Sequence, residues 1–172
     1  MNIALTYKRV KQAMRGAGIT LAMMVAMQGC RQVALFEQLQ NIKGARWYSA
    51  QVPAFSFEIS DTTKAYNLYI VLRHTNEYPY RNIWLNVGLQ QPGDTVARQQ
   101  QFEVALANAE QWLGRGMTDV YERRALLLPQ PIRFSHSGTV TITLAHTMRL
   151  DPLPFIMQAG VRLEPVPTSP QP

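Results

Sequence analysis

The 172-residue sequence has one cysteine, three histidines and no long hydrophobic run, and each shortage excludes a class of protein. Because Cys30 is the only cysteine, no internal disulfide can form. The apolar stretch at residues 16–29 is about 14 residues long, whereas a helix needs about 20 to cross the hydrocarbon core of a bilayer. The histidines lie far apart, with no second ligand-type residue at a metal-binding interval. We therefore expect neither a disulfide scaffold, nor a comfortable membrane span, nor a metal site.

Motifs of enzymatic chemistry are also missing. The sequence contains no Gly-x-Ser-x-Gly nucleophile motif, no glycine-rich phosphate loop followed by lysine and no dinucleotide-binding fingerprint. Among the eleven acids, Asp119 with Glu122 and Glu103 with Glu110 stay open as a pair of hydrolytic carboxyls, although nothing distinguishes them from surface charge. We expect no catalytic residue and no cofactor, and we keep an unrecognised hydrolase as an alternative.

The N-terminal residues have the order of an export signal. Residues 1–15 carry four bases and no acid, and the apolar stretch after them ends in Gly29 and Cys30. A basic segment, an apolar segment and a small residue, in that order, are typical of a secretory signal. A small residue before cysteine resembles the lipobox at which diacylglycerol is attached to the thiol. We predict a signal peptide over residues 1–29 and lipidation of Cys30. A fortuitous cysteine beside a short membrane anchor or in a buried helix is the alternative.

The positive charge of the chain comes largely from this signal. The sequence holds 17 bases and 11 acids, a net charge of +6. Without the four bases of the signal, thirteen bases remain against eleven acids, which is a net charge of about +2. So small an excess does not indicate nucleic-acid binding. The rest of the chain has the length of one domain able to bury a core.

After the signal, the pattern of apolar and polar residues changes near Trp47. Residues 30–45 are mixed and polar, which predicts a lipidated tether with a short helix around residues 33–39 as one option. In residues 64–75 and 81–90, apolar side chains occupy every second position, which is the period of a half-buried strand. Shorter runs predict further strands near Trp47 and at residues 54–60, 101–107, 120–128, 138–145 and 158–165. Residues 120–128 also suit a helical turn.

About eight short strands separated by turn residues, with no long amphipathic helix, predict an all-β protein. The fold that we expect is an antiparallel β-sandwich over residues 46–165, with a jelly roll as the candidate topology. Residues 166–172 are rich in proline, which predicts an extended tail.

Two predicted strands, residues 64–75 and 81–90, show the clearest alternation, and their polar faces form a candidate surface for a partner or ligand. If residues 64–75 pair with residues 81–90, their polar side chains share one face, and aromatic rings flanked by Asn and Arg stack on sugars or anchor proteins. Alternatively, the N-terminal stretch or a loop simply covers the rings. The candidate residues are Asn67, Tyr69, Arg73, Tyr78, Tyr80, Asn82, Trp84 and Asn86.

Three blocks of residues behind the lipobox resemble a known family. They are Tyr66-x-Leu68-Tyr69-x-x-Leu72-Arg73-His74-Thr75-Asn76-x-Tyr78-Pro79-Tyr80-x-Asn82, Trp112-Leu113-Gly114-x-Gly116-x-x-Asp119, and Met148-Arg149-x-Asp151-x-Leu153 followed by Gly160-Val161-Arg162-x-Glu164. In this order they resemble the gliding-motility lipoprotein H family, GldH, of the Bacteroidetes, over about residues 30–165. The chain departs from the family at Pro154-Phe155, where we expect a glycine.

The resemblance implies a non-enzymatic outer-membrane lipoprotein that is needed for gliding motility and connected to type IX secretion. Its partners would be the membrane, through the lipid, and envelope proteins of that apparatus. Surface-exported lipoproteins of the Bacteroidetes usually carry an acidic cluster soon after the cysteine, whereas here Glu37 is the first acid. This favours the side of the membrane that faces the periplasm. A carbohydrate-binding envelope lipoprotein is the alternative function, because Tyr69 and Trp84 on an open face would suit sugars.

Radioactive palmitate tests the lipid anchor. We expect labelled cells to incorporate palmitate into this protein and to remove the leader, because acylation of Cys30 precedes cleavage. Cys30→Ser should abolish incorporation. A wild-type product without label, or with its leader uncleaved, would contradict the prediction.

Overall fold

The computed structural model describes residues 36–167, which form eleven strands and one 3-10 turn at Lys43–Ala45. The strands are β1 (Phe36–Asn41), β2 (Arg46–Trp47), β3 (Ala54–Ile59), β4 (Tyr66–Thr75), β5 (Asn82–Gln90), β6 (Arg98–Ala105), β7 (Arg115–Met117), β8 (Val120–Leu126), β9 (Gly138–His146), β10 (Leu153–Pro154) and β11 (Ile156–Pro165). The predicted signal peptide, Cys30 and residues 168–172 of the predicted tail lie outside the described residues. Within residues 36–167, no helix has the length and apolar character needed to cross a membrane.

The strands form two main antiparallel sheets. One sheet has the order β1-β11-β4-β8-β7, the other has the order β3-β9-β5-β6, and β10 pairs with β2 alone. Among the eight strands of six or more residues, the first pairs with the last, the second with the seventh, the third with the sixth and the fourth with the fifth. This nested pairing is that of a jelly roll. The predicted β-sandwich and its candidate topology are therefore confirmed.

The core fills the space between the two sheets. Alternate side chains of β4, such as Leu68 and Leu72, and of β5, such as Leu85, are fully buried, as the period-two pattern predicted. Phe36 of β1 packs on Phe57 of β3 with ring centroids 4.8 Å apart, which joins the sheets at one side. Each such buried side chain stabilises the fold by about 1.5–3 kcal/mol relative to an exposed one.

The predicted tether is wrong from Phe36 onward. Residues 36–41 form β1 rather than a helix, and they pair with β11 from Phe36 opposite Leu163 to Asn41 opposite Gln158. The strand was missed because it lies at the edge of the sheet, where most of its side chains are polar and no clear alternation marks it. Its partner also lies at the far end of the sequence. Two further strands, β7 and β10, have three and two residues, too few to show a period.

β4 and β5, the two strands with the clearest alternation in sequence, do not pair with each other. The condition for a polar face shared between them is therefore not met. β4 lies between β11 and β8 in one sheet, while β5 lies between β9 and β6 in the other. Both strands turn their apolar side chains to the same core, so their polar faces point away from each other. The reason is that residues 76–81 cross from one sheet to the other. Consecutive strands are neighbours in only about two-thirds of cases, and this pair is an exception.

Strand directions give the sandwich two distinct ends. At one end β1 begins and β11 ends, and we call it the proximal end. The opposite, distal end contains the connections 42–53, 76–81, 106–119 and 147–155. The remaining connections, at residues 60–65, 91–97 and 127–137, lie at the proximal end.

The closest approach between β1 and β11 occurs at Gly160. A Cβ at this position would lie 2.3 Å from the carbonyl oxygen of Gln38, a backbone atom that cannot move without displacing β1. We expect Gly160→Ala to loosen β1 and to lower the free energy of unfolding by about 1–3 kcal/mol. Urea denaturation followed by circular dichroism measures the loss.

Gly88→Ala is the matched control for this substitution. A Cβ at Gly88 would meet only side-chain atoms of Thr143 and Gln99, both of which can rotate away. Equal losses in the two variants would contradict the steric explanation.

Candidate functional site

The structure distributes the eight candidate residues over three places rather than one face. Asn67, Tyr69 and Arg73 belong to the five-stranded sheet, Tyr78 is buried at the distal end, and Tyr80, Asn82, Trp84 and Asn86 belong to the side of the four-stranded sheet. Each place has a different chemistry.

On the outer face of the five-stranded sheet, Arg73 belongs to a network of charged side chains. Its Nε donates to Glu122 at 2.8 Å and its Nη1 donates to Gln158 at 2.9 Å. The second oxygen of Glu122 accepts from Arg124 Nε at 2.9 Å. The network continues through the ion pairs Arg124–Glu37, Arg162–Glu37 and Arg162–Glu164. Three arginines and three glutamates therefore neutralise one another across this face.

This network also covers an apolar residue. Val71 lies between Tyr69 and Arg73 on the outward side of β4, yet it is fully buried. Its neighbours across the sheet are Gly160 and Arg124. Arginine stems commonly shield apolar surface while their charged heads stay near water. On the face that holds Asn67, Tyr69 and Arg73, charged side chains thus compensate one another and shield the apolar residue beneath them, although Arg73 and Glu122 also line an open cleft of about 370 Å³.

Tyr78 lies inside an aromatic cluster at the distal end. The ring centroids of Trp112, Tyr78 and Tyr121 lie 4.7, 5.7 and 5.8 Å from that of His74. The Tyr78 hydroxyl donates to the carbonyl of Asn82 at 3.0 Å, and burial raises the pKa of Tyr78. The cluster joins the connection after β4 to the corner at Trp112. It therefore fixes the shape of the distal end.

Two histidines are buried at strand ends. His74 is the ninth residue of β4 and His146 is the last residue of β9. His74 Nδ1 lies 2.9 Å from the carbonyl of Thr75, and His146 Nε2 lies 2.9 Å from the carbonyl of Trp47, so both nitrogens act as donors. Burial lowers the pKa of each histidine. Both rings are therefore neutral at neutral pH.

Trp84 and Tyr80 line an open cleft of about 300 Å³ at the distal end, together with Thr147, Met148 and Arg149. The Trp84 side chain is 38 % exposed. Two backbone donors fix the wall of the cleft: the Thr147 N–H donates to the Trp84 carbonyl at 2.9 Å, and the Trp84 N–H donates to Met148 Sδ at 3.3 Å. Residues that are about sixty positions apart in sequence thus build one site.

Polar side chains border this cleft. Asn82 Nδ2 donates to Glu103 at 2.6 Å. Asn86 lies opposite Gln101, whose Nε2 donates to the Thr147 hydroxyl at 2.9 Å. Arg149 is exposed and belongs to none of the ion pairs found in residues 36–167. The cleft therefore combines aromatic, thioether and cationic groups, and amides and the Glu103 carboxylate lie at its border.

Three of the four carboxyls left open for hydrolysis are engaged elsewhere. Glu122 is bound by arginines in the network, Asp119 accepts from Asn76 at 3.3 Å, and Glu103 accepts from Asn82. The residues that line the Trp84 cleft include no carboxylate. Residues 36–167 contain no group of three or more His, Cys, Asp and Glu side chains able to hold a metal. The open shape and aromatic lining of the cleft suit binding.

Comparison with known proteins identifies the family. A family model described as GldH lipoprotein matches residues 34–163. The chain belongs to the GldH lipoprotein family. The gliding motility lipoprotein GldH of Flavobacterium johnsoniae is 27 % identical over 158 residues, which cover 87 % of this chain and 96 % of that protein. A GldH homolog of Christiangramia forsetii is 26 % identical over 148 residues, which cover 81 % and 89 % of the two chains.

Among solved structures, similarity is weak. A chain from the structure of infectious bursal disease virus Gx strain aligns with a TM-score of 0.18 and 14 % identity, covering 79 % of this chain and 38 % of that chain. So low a score bears neither on the fold nor on the function.

Ser49 holds the turn that the third sequence block forms. Asp151 accepts hydrogen bonds from the Ser49 N–H at 2.9 Å and from the Ser49 hydroxyl at 2.5 Å. Phe155, where the family led us to expect a glycine, has a φ of 65°. This left-handed conformation favours glycine and costs another residue about 1–3 kcal/mol. Although Phe155 stands where we expect glycine, the backbone of the turn keeps the conformation that glycine would adopt.

Several residues of these sites were missing from the candidate set. The cleft contains Thr147, Met148 and Arg149, and the charged network contains Glu37 and other side chains beyond Arg73. Met148 and Arg149 carried a signal, because they open the third block directly after a clear strand pattern. Which strand they lie beside depends on register between distant segments, and the sequence does not reveal it.

Stability should depend on pH through the buried histidines. Because burial lowers the folded pKa of His74 and His146, protons bind more readily to the unfolded chain, whose histidines have a pKa near 6.5. Their contribution to stability is complete above pH 6.5 and is lost as the pH falls below it. We expect Tm to drop across this range and His74→Phe to reduce the drop. His136→Ala, which changes an exposed histidine, should leave the slope as in the wild type.

Proposed function

We propose that this protein is a non-enzymatic, lipid-anchored protein of the outer membrane that supports the assembly of the gliding and type IX secretion machinery. It acts through contacts with other envelope proteins. Membership of the GldH lipoprotein family supports the assignment to gliding, because the Flavobacterium johnsoniae relative is named for gliding motility. Under this proposal a covalent lipid on Cys30, with palmitate among its acyl chains, holds the protein to the membrane.

The observation that carries the contact role is the Trp84 cleft. Tyr, Trp, Met and Arg are the residue types enriched at protein interfaces, and Tyr80, Trp84, Met148 and Arg149 line this one cleft. A ring that stays 38 % exposed beside a concave surface can be covered by a side chain of a partner. The outer face of the five-stranded sheet is less suited to binding a partner, because its arginines and glutamates already form ion pairs with one another.

The location on the periplasmic side is part of the same proposal. Glu37 is the first acid after Cys30, and it is held between Arg124 and Arg162. A single glutamate whose charge is already compensated does not form an acidic export cluster. This supports a domain that stays in the periplasm, where the cell-envelope parts of a secretion machine are accessible.

Carbohydrate binding is the second candidate. The outer face of the four-stranded sheet carries hydroxyl and amide side chains, including Thr141, Thr143, Asn86 and Gln101, beside the Trp84 ring. Sugars stack on aromatic rings and exchange hydrogen bonds with such groups. The cleft differs from a sugar site of that kind in having Arg149 and Met148 on its wall, which is why protein contact is the leading proposal.

Trp84→Ala in the native host tests the role of the cleft. Because the ring is partly exposed, we expect the variant to accumulate in the membrane fraction at wild-type levels while gliding and the export of type IX cargo fall. Val96→Ala, a change at an exposed proximal residue, is the control and should behave as wild type.

The same strains separate the two candidate functions. Affinity isolation from membranes should recover secretion-motor components with the wild type and fewer of them with Trp84→Ala. Normal gliding and secretion in a stable Trp84→Ala strain would remove the cleft from the proposal. Binding to purified envelope glycans, lost in the same variant and without any protein partner, would promote the second candidate.

A further inference from the structure

We infer that the distal end of the sandwich is the docking end of the molecule, and that it receives a protein segment presenting an apolar side chain beside a carboxylate. The apolar side chain occupies the Trp84 cleft and the carboxylate faces Arg149. This inference rests on the proposed function, to which it adds the docking end and the chemistry of the partner.

Strand direction and chain length give the first argument. β1 begins at Phe36, at the proximal end, six residues after Cys30. Six residues of fully extended chain span about 20 Å. β4 has ten residues and spans about 33 Å between the two ends of the sandwich. A lipid on Cys30 therefore tethers the proximal end closely and leaves the distal end free to meet other proteins.

The distribution of exposed apolar side chains is the second argument. Among the residues that the structure describes, eight large hydrophobic side chains are exposed, and six of them lie at or beside the distal end. The distal ones are Tyr48, Val52, Trp84, Met117, Leu150 and Met157, and the other two are Val96 and Leu126. Single exposed apolar residues are ordinary, but their concentration at one end of a monomer marks an interaction site.

The sequence blocks that carry the family resemblance give a third argument. Residues 76–81, the corner at Trp112 and the turn at residues 148–153 are widely separated in sequence, and all three lie at the distal end. The aromatic cluster around His74 packs the first two together. In the Trp84 cleft, Tyr80 of the first block lies beside Met148 and Arg149 of the third. Parts of all three blocks therefore meet where docking is inferred, while residues 66–72 and 160–164 of the same blocks run along β4 and β11 toward the other end.

The chemistry of the cleft indicates what the partner presents. Its floor and wall are aromatic and thioether groups, which gain most from covering by an apolar side chain. At its rim, Arg149 is exposed and has no ion-pair partner among residues 36–167. A carboxylate from a partner would complement this cation and fix the orientation of docking. A concave cleft fits a protruding side chain of a protein better than it fits a lipid surface.

Single-cysteine labelling of the full-length protein in its native membranes tests the inference. Acylated Cys30 has no free thiol, so a cysteine introduced elsewhere is the only reactive one. Met117→Cys at the distal end and Val96→Cys at the proximal end form a matched pair, since the two native side chains are 82 % and 75 % exposed. Leu150→Cys, beside Arg149, probes the cleft more directly. Each rate of maleimide labelling is divided by the rate for the same variant purified in detergent.

We expect labelling in membranes to be slowed roughly ten-fold at Leu150→Cys, and measurably at Met117→Cys, because side chains in a docked interface are shielded from water. Val96→Cys should label at the same rate in both states. Adding Arg149→Glu to Leu150→Cys should restore fast labelling, whereas adding Arg149→Lys should retain the protection. Equal labelling at the two ends, or protection at Val96 alone, would overturn the inference.

Two further outcomes keep the proposals separate. Labelling of the parent chain, which has no introduced cysteine, would show a free Cys30 and would defeat the lipid anchor rather than the docking end. Protection of Leu150→Cys that persists when the purified protein is placed in vesicles of phosphatidylethanolamine and phosphatidylglycerol, without other proteins, would show contact with lipid and would overturn the protein partner.

Discussion

β11 pairs with β1 on one side and with β4 on the other, so the five-stranded sheet exists only once residues from the two ends of the domain have met. This closure sets the nested pairing of the jelly roll and places the start of β1 at one end of the sandwich. It also brings Glu37 beside Arg162, which extends the charged network across the outer face. Gly160 is the point at which this closure depends on the absence of a side chain, because a Cβ there would meet the backbone of β1.

The sequence predicted those parts of the fold in which one face of a strand is buried. In β4, β5 and β9, apolar residues alternate with polar ones, and period-two burial follows directly from that pattern. Prediction failed for β1, where an edge position makes polar side chains acceptable on both faces. The sequence also left open which sheet holds β4 and which holds β5, because alternation shows which residues face the core but not which strand lies alongside.

The candidate site was predictable in residue type and only partly in position. Trp84 and Tyr80 were chosen as exposed aromatic residues beside polar ones, and they do share a cleft. Arg73 was chosen as a polar neighbour of such rings, yet Glu122 and Gln158 bind it within the charged network of the five-stranded sheet. The difference lies in the neighbouring segments: β5 runs beside β9 and the residues that follow it, which include Met148 and Arg149, whereas β4 runs beside β8 and β11, which supply Glu122 and Gln158. Register between distant strands decides each case.

The contrast between the two outer faces bears on how such a domain can act. On the five-stranded sheet, three arginines and three glutamates satisfy one another, so a partner that docked there would have to break existing pairs to form new ones. Exchanges of this kind gain little, since the lost and formed interactions are of similar strength. At the Trp84 cleft, the Arg149 guanidinium belongs to no ion pair within residues 36–167, and the Trp84 ring is partly exposed. The five-stranded sheet therefore has an outer face whose arginines and glutamates compensate one another, whereas the distal end presents the partly exposed Trp84 ring beside Arg149, and an encounter with another protein has more to gain there.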